Sequence, residues 1–253
     1  MFYKIEEIAD NTYRFDENGR ANCYLVVGSE KALLIDGCWG IGDLKGTIRT
    51  LTDKPIIAVA THRHPDHTCG LRQLGDYYVS EKDNILFNRL LENRLFGMAI
   101  VLAEKQKIQP YHNKKMGKTL PLHDGDIFDI GNRYIEVQEI PGHTAGSVMF
   151  IEHANKLMFT GDDVNIKLWM QGKGATSLAE WKIGAKKVLG YMSEGYSAWT
   201  GHLDGRQTQE QLLKIYGLVE EIIEKKVQLN KKDSPYSKAG EILEVRFNIH
   251  NID

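Results

Sequence analysis

The sequence predicts an α/β (α+β) fold in which two sheets pack face to face and helices cover both outer faces. Three observations carry that expectation. Short extended segments separated by turn residues recur in both halves of the chain, and each run is followed by helical pattern. Two segments of the second half combine a capping signal with a single apolar stripe, as helices laid on a sheet do. A hydrophobic content of 42% with 26% charged residues supplies a sizeable core and excludes general disorder. A chain of 253 residues is long for an average domain, yet layered α/β folds reach this size as one unit, so a single domain over 1–253 is expected.

From Tyr3 to Asp36 the pattern is that of antiparallel strands. Asn18-Gly19 is a hairpin signal, and Gly28-Ser29-Glu30-Lys31 separates Tyr24–Val27 from Ala32–Ile35. Asp36-Gly37-Cys38-Trp39-Gly40 reads as a glycine-rich turn, Asp43–Leu51 as a short helix, and Ile56–Ala60 as a strand. A short helix at Gly70–Leu74 and a small strand at Tyr77–Val79 follow. Ser80–Gln106 is dense in Leu, Ile, Phe and Met, with capping residue types at Ser80 and Asp83, and predicts one or two helices. Their apolar residues point to too many faces for a surface helix, so they pack on the core or cover a pocket. The lysines 105, 107, 114, 115 and 118 around Pro110 and His112 form either a solvated loop or an anion-binding rim.

Strands are expected at Asp126–Ile130, Tyr134–Ile140, Gly146–Glu152 and Lys156–Thr160, with a turn at Gly131-Asn132. One helix starts at Ser177 with Glu180 three residues on, and stripes Leu178, Trp181, Ala185, Val188, Leu189 and Met192. A second pairs Thr208 with Gln211 and stripes Leu212, Ile215, Tyr216, Val219, Ile222 and Ile223. Ala198-Trp199-Thr200 between them reads as a short buried strand. Residues 230–238 are polar and turn-like, and Glu244–Ile249 suits an edge strand.

A formal net charge of -2 offers no general attraction to phosphate backbones or anionic membranes, so nucleic acid is not an expected partner. Cys23, Cys38 and Cys69 are odd in number and lack CxxC spacing, which fits reduced thiols better than a disulfide framework. Cys23 and Cys38 read as buried small hydrophobes. The first residues show no secretory pattern, and the apolar run Leu95–Ala103 is about half a membrane span. A cytoplasmic protein without a membrane span is expected.

Chemistry concentrates in Thr61-His62-Arg63-His64-Pro65-Asp66-His67, directly after a strand-like run. Alternate residues of an extended segment point the same way, so His62 and His64 can reach one ion together. Pro65 biases His64 toward extended backbone and starts a turn rather than a helix, which lets Asp66 and His67 address a second ion. Imidazole and carboxylate suit zinc, iron or manganese. A histidine-rich surface loop is the bland alternative. Three later segments again place a ligand type at a strand end: Pro141-Gly142-His143-Thr144-Ala145-Gly146-Ser147, Phe159-Thr160-Gly161-Asp162-Asp163 and Thr200-Gly201-His202.

With these segments in order, the chain from Tyr24 to His202 resembles the metallo-β-lactamase superfamily, whose motifs are HxHxDH, a later glycine-flanked His, an Asp after a strand and a final His. The resemblance implies a four-layer αββα sandwich of two mixed sheets, with a helical insertion at about 81–118. It also implies two divalent metal ions, zinc first with iron or manganese open. His62, His64 and His143 would hold one, Asp66, His67 and His202 the other, and Asp162 would bridge them. Asp36, at the family's strand-end Asp-Gly position, resembles a group that orients a ligand, or is simply a turn former. Asp163 matches the bridging position less well. His112, His123, His153 and His250 match no motif.

Antibiotic-hydrolysing members usually have Cys or Ser where Asp162 stands, so the chain looks more like the glyoxalase II and lactonase branches. It departs from those too, having few residues after His202 and Asn165 where lactonases place Tyr. Cys69 replaces a common Gly and is either a packing detail or an oxidation-sensitive thiol. The resemblance implies a metal-dependent hydrolase of a small-molecule ester, thioester or lactone using a metal-bridging hydroxide, with Asp66 orienting the nucleophile or passing a proton. Ile85–Ala103 is expected to wall an acyl or aromatic pocket, with Trp169 and Met170 as further lining. The rivals are a phosphodiesterase, an iron-dependent persulfide dioxygenase and a metal-stabilised binding module. A homodimer through the apolar helices is a further expectation.

Overall fold

The computed structural model describes residues 2–83, 86–105, 117–172, 174–226, 244–247 and 252, without the side chains of 86–93. The expectations placed on Lys107, Pro110, His112, Lys114, Lys115, residues 230–238 and His250 lie outside the described residues.

Strands β1 (Lys4–Ala9), β2 (Thr12–Asp16), β3 (Asn22–Val27) and β4 (Ala32–Ile35) pair antiparallel in sequence order. Asn18 and Gly19 both take positive φ, 54° and 74°, and make the β2–β3 reversal as their residue types predict. Helix α1 (Leu44–Arg49) is capped by the Asp43 side chain on Gly46 N and buries Leu44 and Ile48. β5 (Ile56–Val59) then returns parallel to β4.

Next comes α2 (Pro65–Thr68), one helical turn where the sequence was read as a non-helical turn. The correction has a simple cause. Pro65 stands at the first helical position, where its fixed φ suits a helix and its missing N–H costs nothing. His64 keeps the extended backbone that a residue before proline prefers, φ -89° and ψ 151°. A 3-10 turn over Cys69–Gln73 and β6 (Tyr77–Ser80) follow.

Helix α3 (Leu86–Lys105) is a single helix, and the Asp83 carboxylate before it bonds Arg63 N, Thr144 Oγ1 and Gly146 N. β7 (Thr119–Leu122) was missed because Pro121 interrupts the strand signal. A proline is tolerated there since β7 is the outer strand of its sheet.

The second sheet is built from β8 (Ile127–Asp129), β9 (Tyr134–Glu139), β10 (Val148–Glu152) and β11 (Leu157–Gly161). Then come β12 (Lys167–Met170), α4 (Leu178–Ser193), β13 (Ser197–Thr200), β14 (Arg206–Gln207), α5 (Gln209–Ile223) and β15 (Glu244–Phe247). Ser177 caps α4, and Thr208 with Gln211 forms a reciprocal capping box on α5.

The seven-stranded sheet runs β1-β2-β3-β4-β5-β6-β7, and the six-stranded sheet β14-β13-β11-β10-β9-β8. Both are mixed, since β4, β5, β6 and β7 are parallel neighbours in one and β11 and β13 in the other. β15 pairs parallel with β12 in a separate two-stranded sheet instead of extending an edge.

Period-two alternation sets the layers. Tyr24, Val26, Leu33 and Ile35 face Val137, Val148, Phe150 and Phe159 between the sheets. Cys23, Leu25 and Leu34 face the other way, onto α1 and Leu71. Met149, Ile151 and Met158 face α4, α5 and β12. The result is the αββα sandwich. Each fully buried large side chain contributes about 1.5–3 kcal/mol, so the alternation leaves little freedom in strand register.

Candidate metal centre

The seven sequence-predicted ligands meet at one end of the sandwich. His62 and His64 follow β5, Asp66 and His67 ride on α2, His143 follows β9, Asp162 follows β11 and His202 follows β13. Three overlapping groups have ligand atoms within 4.8 Å of one another: His62, His64 and His143; His62, His67 and Asp162; Asp66, His67 and His202. In the first group His62 Nε2 and His143 Nε2 lie 3.1 and 2.8 Å from His64 Nδ1. Asp162 Oδ2 sits between the groups, 3.7 Å from His143 Nε2, 3.5 Å from His67 Nε2 and 3.2 Å from His202 Nε2. Asp66 Oδ2 is 3.3 Å from His202 Nε2.

The outward nitrogens are anchored, which fixes each ring. His67 Nδ1 donates to Asp36 Oδ2 at 2.8 Å, His143 Nδ1 to the Trp169 carbonyl at 2.5 Å, and His202 Nδ1 to the Arg20 carbonyl at 2.9 Å. His62 Nδ1 faces Thr61 Oγ1 at 3.1 Å, and that hydroxyl donates to Asp36 Oδ2 at 2.9 Å. Asp36 therefore orients one ligand directly and a second through Thr61. It is also a turn former, at φ 61°. Anchoring of this kind sets ring orientation and ligand basicity in metal sites.

The inward atoms behave oppositely. His67 Nε2, Asp162 Oδ1 and His202 Nε2 are buried and make no hydrogen bond. Buried polar atoms without partners are costly, and three aimed at one space fit a site for cations. Charge instead divides the imidazoles by ligand group. Burial, then the neighbouring His143 imidazole, holds His64 down at about 4, and burial with His67 puts His62 well below the usual range. Both are thus neutral imidazoles, the ligating form. Burial alone would lower His67 and His202, but Asp162 outweighs it and raises His67 well above the usual value and His202 to about 10. Burial pushes Asp66 up, yet His202, its Nε2 3.3 Å away, and the His67 charge prevail and hold it at about 2. Asp162 is likewise held low, its burial overcome by His202 and His67.

Other expectations separate cleanly. Asp163 turns away from the ligands. Its carboxylate accepts from His143 N at 2.8 Å and its carbonyl from Trp181 Nε1. Trp169 stands beside the centre, its ring 5.8 Å from that of His202. Met170 does not line it: the alternation of β12 turns Met170, 1% exposed, into the α4–α5 core. Cys69 is 1% exposed, a packed residue rather than an accessible thiol. His123 lies on the surface near Asp126, and His153 bonds Tyr196 and Glu136.

The sequence reading missed the supports of the His202 loop. Asn22 N donates to the Gly201 carbonyl, Tyr24 Oη to the Thr200 carbonyl at 2.6 Å, and Arg14 to the Asp204 carbonyl. Backbone carbonyls as partners leave no local signal.

A cleft of about 330 Å³ is lined by Arg20, Trp39, Ile41, Leu95, Met98, Ala99, Leu102 and Ala103, and none of the seven candidate ligands is among its lining. Arg20, whose carbonyl holds His202, thus also borders an apolar cleft, and the described part of α3 supplies one of its walls. No helix among the described residues is long and apolar enough to cross a membrane.

The family model described as Metallo-beta-lactamase superfamily matches residues 17–169. Acyl-coenzyme A thioesterase MBLAC2 of Bos taurus is 31% identical over 189 residues, 64% of this chain and 67% of that protein. Hydroxyacylglutathione hydrolase GloC of Haemophilus influenzae is 31% identical over 149 residues, 56% of this chain and 65% of that protein. Among solved structures, a metallo-beta-lactamase from Pontibacter korlensis superposes with TM-score 0.62 at 19% identity, covering 86% of this chain and 99% of that one.

Proposed function

Because this chain belongs to the metallo-beta-lactamase superfamily, we propose that it is a thioester hydrolase whose centre holds two divalent metal ions, zinc in the first instance. The observation that supports the reading most directly is the pair of ligand groups joined by Asp162, linked to an apolar cleft through Arg20, whose carbonyl holds His202. The relatives point to the same substrate class, since hydroxyacylglutathione, like acyl-coenzyme A, is a thioester.

In this reading His62, His64 and His143 would hold one ion, Asp66, His67 and His202 the other, and Asp162 would serve both. A metal pair there supplies Lewis acidity, which acidifies a water and polarises a carbonyl. The chain's own residues do the rest. The cleft wall formed by α3, Trp39 and Ile41 takes the acyl part and orients the thioester. Water oxygen attacks the carbonyl carbon, the C–S bond breaks, and a carboxylic acid and a thiol leave. Asp66, the least buried carboxylate of the centre at 22% side-chain exposure, accepts the water proton and passes it to the departing sulfur. Helix α3 acts as part of an insertion that walls the site within one domain, and its half-exposed Met98, Val101 and Leu102 offer a surface for a second copy.

The test is metal analysis of protein purified without added metal, joined to assays on acyl-coenzyme A, acylglutathione, lactones, aryl esters and bis(aryl) phosphates. Two ions with thioester turnover, both lost in His64→Ala and Asp162→Ala, are expected. Retained turnover in those variants removes the assignment. Turnover of phosphates alone, or a single iron with oxygen-dependent activity, overturns the reading in favour of another chemistry on this fold.

A further inference from the structure

Asp83, a capping residue type, directs its carboxylate to two loops far from it in sequence. The residue is 3% exposed and sits just before α3. Asp83 Oδ2 accepts from Arg63 N at 3.1 Å and from Thr144 Oγ1 at 2.7 Å, while Oδ1 accepts from Gly146 N at 3.1 Å. Arg63 is the residue between His62 and His64. Thr144 directly follows His143. One buried carboxylate thus holds the β5 ligand loop against the β9–β10 ligand loop, and these loops come from different sheets.

The surroundings are built for this contact. A Cβ on Gly146 would lie 2.6 Å from Asp83 Cγ and 2.7 Å from Oδ1, so only glycine lets the backbone N–H come this close. Thr144 Oγ1 also bonds Ser147 Oγ at 2.9 Å, and Thr144 N donates to the same Ser147 oxygen at 3.2 Å, so the hydroxyl that meets Asp83 is held on its own loop. Asp83 N in turn donates to the Ser80 carbonyl at 3.1 Å, which ties the carboxylate to the end of β6. Asp163, the neighbouring buried carboxylate, bonds the His143 loop alone.

We propose that Asp83 is a positioning residue that joins the His62–His64 loop to the His143 loop and thereby sets the metal affinity of that ligand group. The inference rests on the two-ion reading above and extends it. Because His64 Nδ1 must meet nitrogens from both loops, slack between the loops falls on this group. The Asp66–His67–His202 group is spared, since the Asp83 bonds join the Arg63 backbone to the Thr144–Gly146 loop and none of them reaches the loop after β13 that carries His202. Loss of a partner that orients ligands costs about 10–100-fold in metal affinity.

Zinc stoichiometry and the affinity of each ion are measured by competition with a chromophoric chelator, for wild type, Asp83→Asn, Gly146→Ala and Glu152→Gln. Asp83→Asn places an amide N–H against backbone donors, and Gly146→Ala displaces the carboxylate from the other side. Glu152→Gln is the control: Glu152 is equally buried and bonds Arg133, Ala154 N and Asn155 N, away from the ligands. Melting of the metal-free variants is recorded alongside.

Asp83→Asn and Gly146→Ala are expected to weaken one ion by about 10–100-fold and leave the other unchanged, the retained ion being the one lost in His202→Ala. Equal weakening of both ions, or affinities matching Glu152→Gln, overturns the inference. Wild type that binds no ion through His64 instead overturns the two-ion reading itself.

Discussion

Gly201 has no side chain because the site fills the space where one would stand. A Cβ there would lie 2.4 Å from His67 Cε1 and 2.8 Å from Asp162 Oδ1. Gly201→Ala should therefore displace an imidazole and a carboxylate together. Overpacking of this kind costs about 1–3 kcal/mol, and the ion of the Asp66–His67–His202 group should be lost. Metal analysis beside a urea melt checks it, and a variant that retains both ions at full affinity contradicts the geometry. Glu17 offers a second prediction, in pH. It is fully buried and accepts from Trp39 N and Ile41 N at 2.9 Å and from Tyr3 Oη at 3.2 Å, so it shapes the cleft wall. Burial lifts its carboxyl from 4.5 to about 7 against those hydrogen bonds. A folded-state value above the unfolded one means that the stabilisation is complete below about 4.5 and disappears as pH rises through about 7. At about 1.4 kcal/mol per pH unit the loss is on the order of 3 kcal/mol. Glu17→Gln should lack this loss, so its stability relative to wild type should rise between pH 5 and pH 8. Parallel slopes in urea melts would remove Glu17 from the account.

Helix α3 is where sequence pattern and function meet least directly. Its apolar residues on several faces predicted packing or pocket walls, and the described part lines a cleft through Leu95, Met98, Ala99, Leu102 and the buried Ala103. Ala99→Trp should narrow that cleft without touching a ligand. If two methylenes of a long acyl chain lose their burial, about 1.6 kcal/mol disappears, somewhat over tenfold in kcat/KM. Acetyl thioesters should be unaffected, so a chain-length series from acetyl to palmitoyl in both proteins reads the effect. A uniform loss across the series would place the acyl chain elsewhere. The neighbouring elements show what kinds of information a sequence carries. The capping box at Thr208 and the stripe of α4 were legible because they are local and periodic. β7 was hidden by Pro121, and α2 by reading Pro65 as a breaker when it starts a helix. The alternation of β12 would have separated Trp169 from Met170, had that strand been recognised.

The clustering of the seven candidate ligands was legible in one respect, since all of them stand in motifs at strand ends. Its supports were not, because Arg20, Asn22, Tyr24 and Asp83 reach it across long sequence distances, several through backbone atoms. The layered fold was readable from period-two strands and capped helices, but the pairing of β12 with β15 depends on contacts far apart in the chain. Taken together, the ligands divide between the sheets: His62, His64, Asp66 and His67 follow β5 of the seven-stranded sheet, whereas His143, Asp162 and His202 follow strands of the six-stranded one. Ions held by both sets would staple the sandwich at one end, and only the native state assembles such a set. Binding to the native state alone stabilises by RT ln(1 + [L]/Kd), about 2.7 kcal/mol at a hundredfold excess over Kd. For a chain of this size that corresponds to a melting shift on the order of 5–10 °C. Calorimetry across a buffered series of free zinc should show the midpoint rising with zinc and falling on chelation. His143→Ala, which removes a ligand from one sheet only, should flatten the dependence. A midpoint indifferent to free metal in the wild type would mean that the two ligand sets do not share ions, and the staple, with the two-ion centre it presupposes, would have to be abandoned.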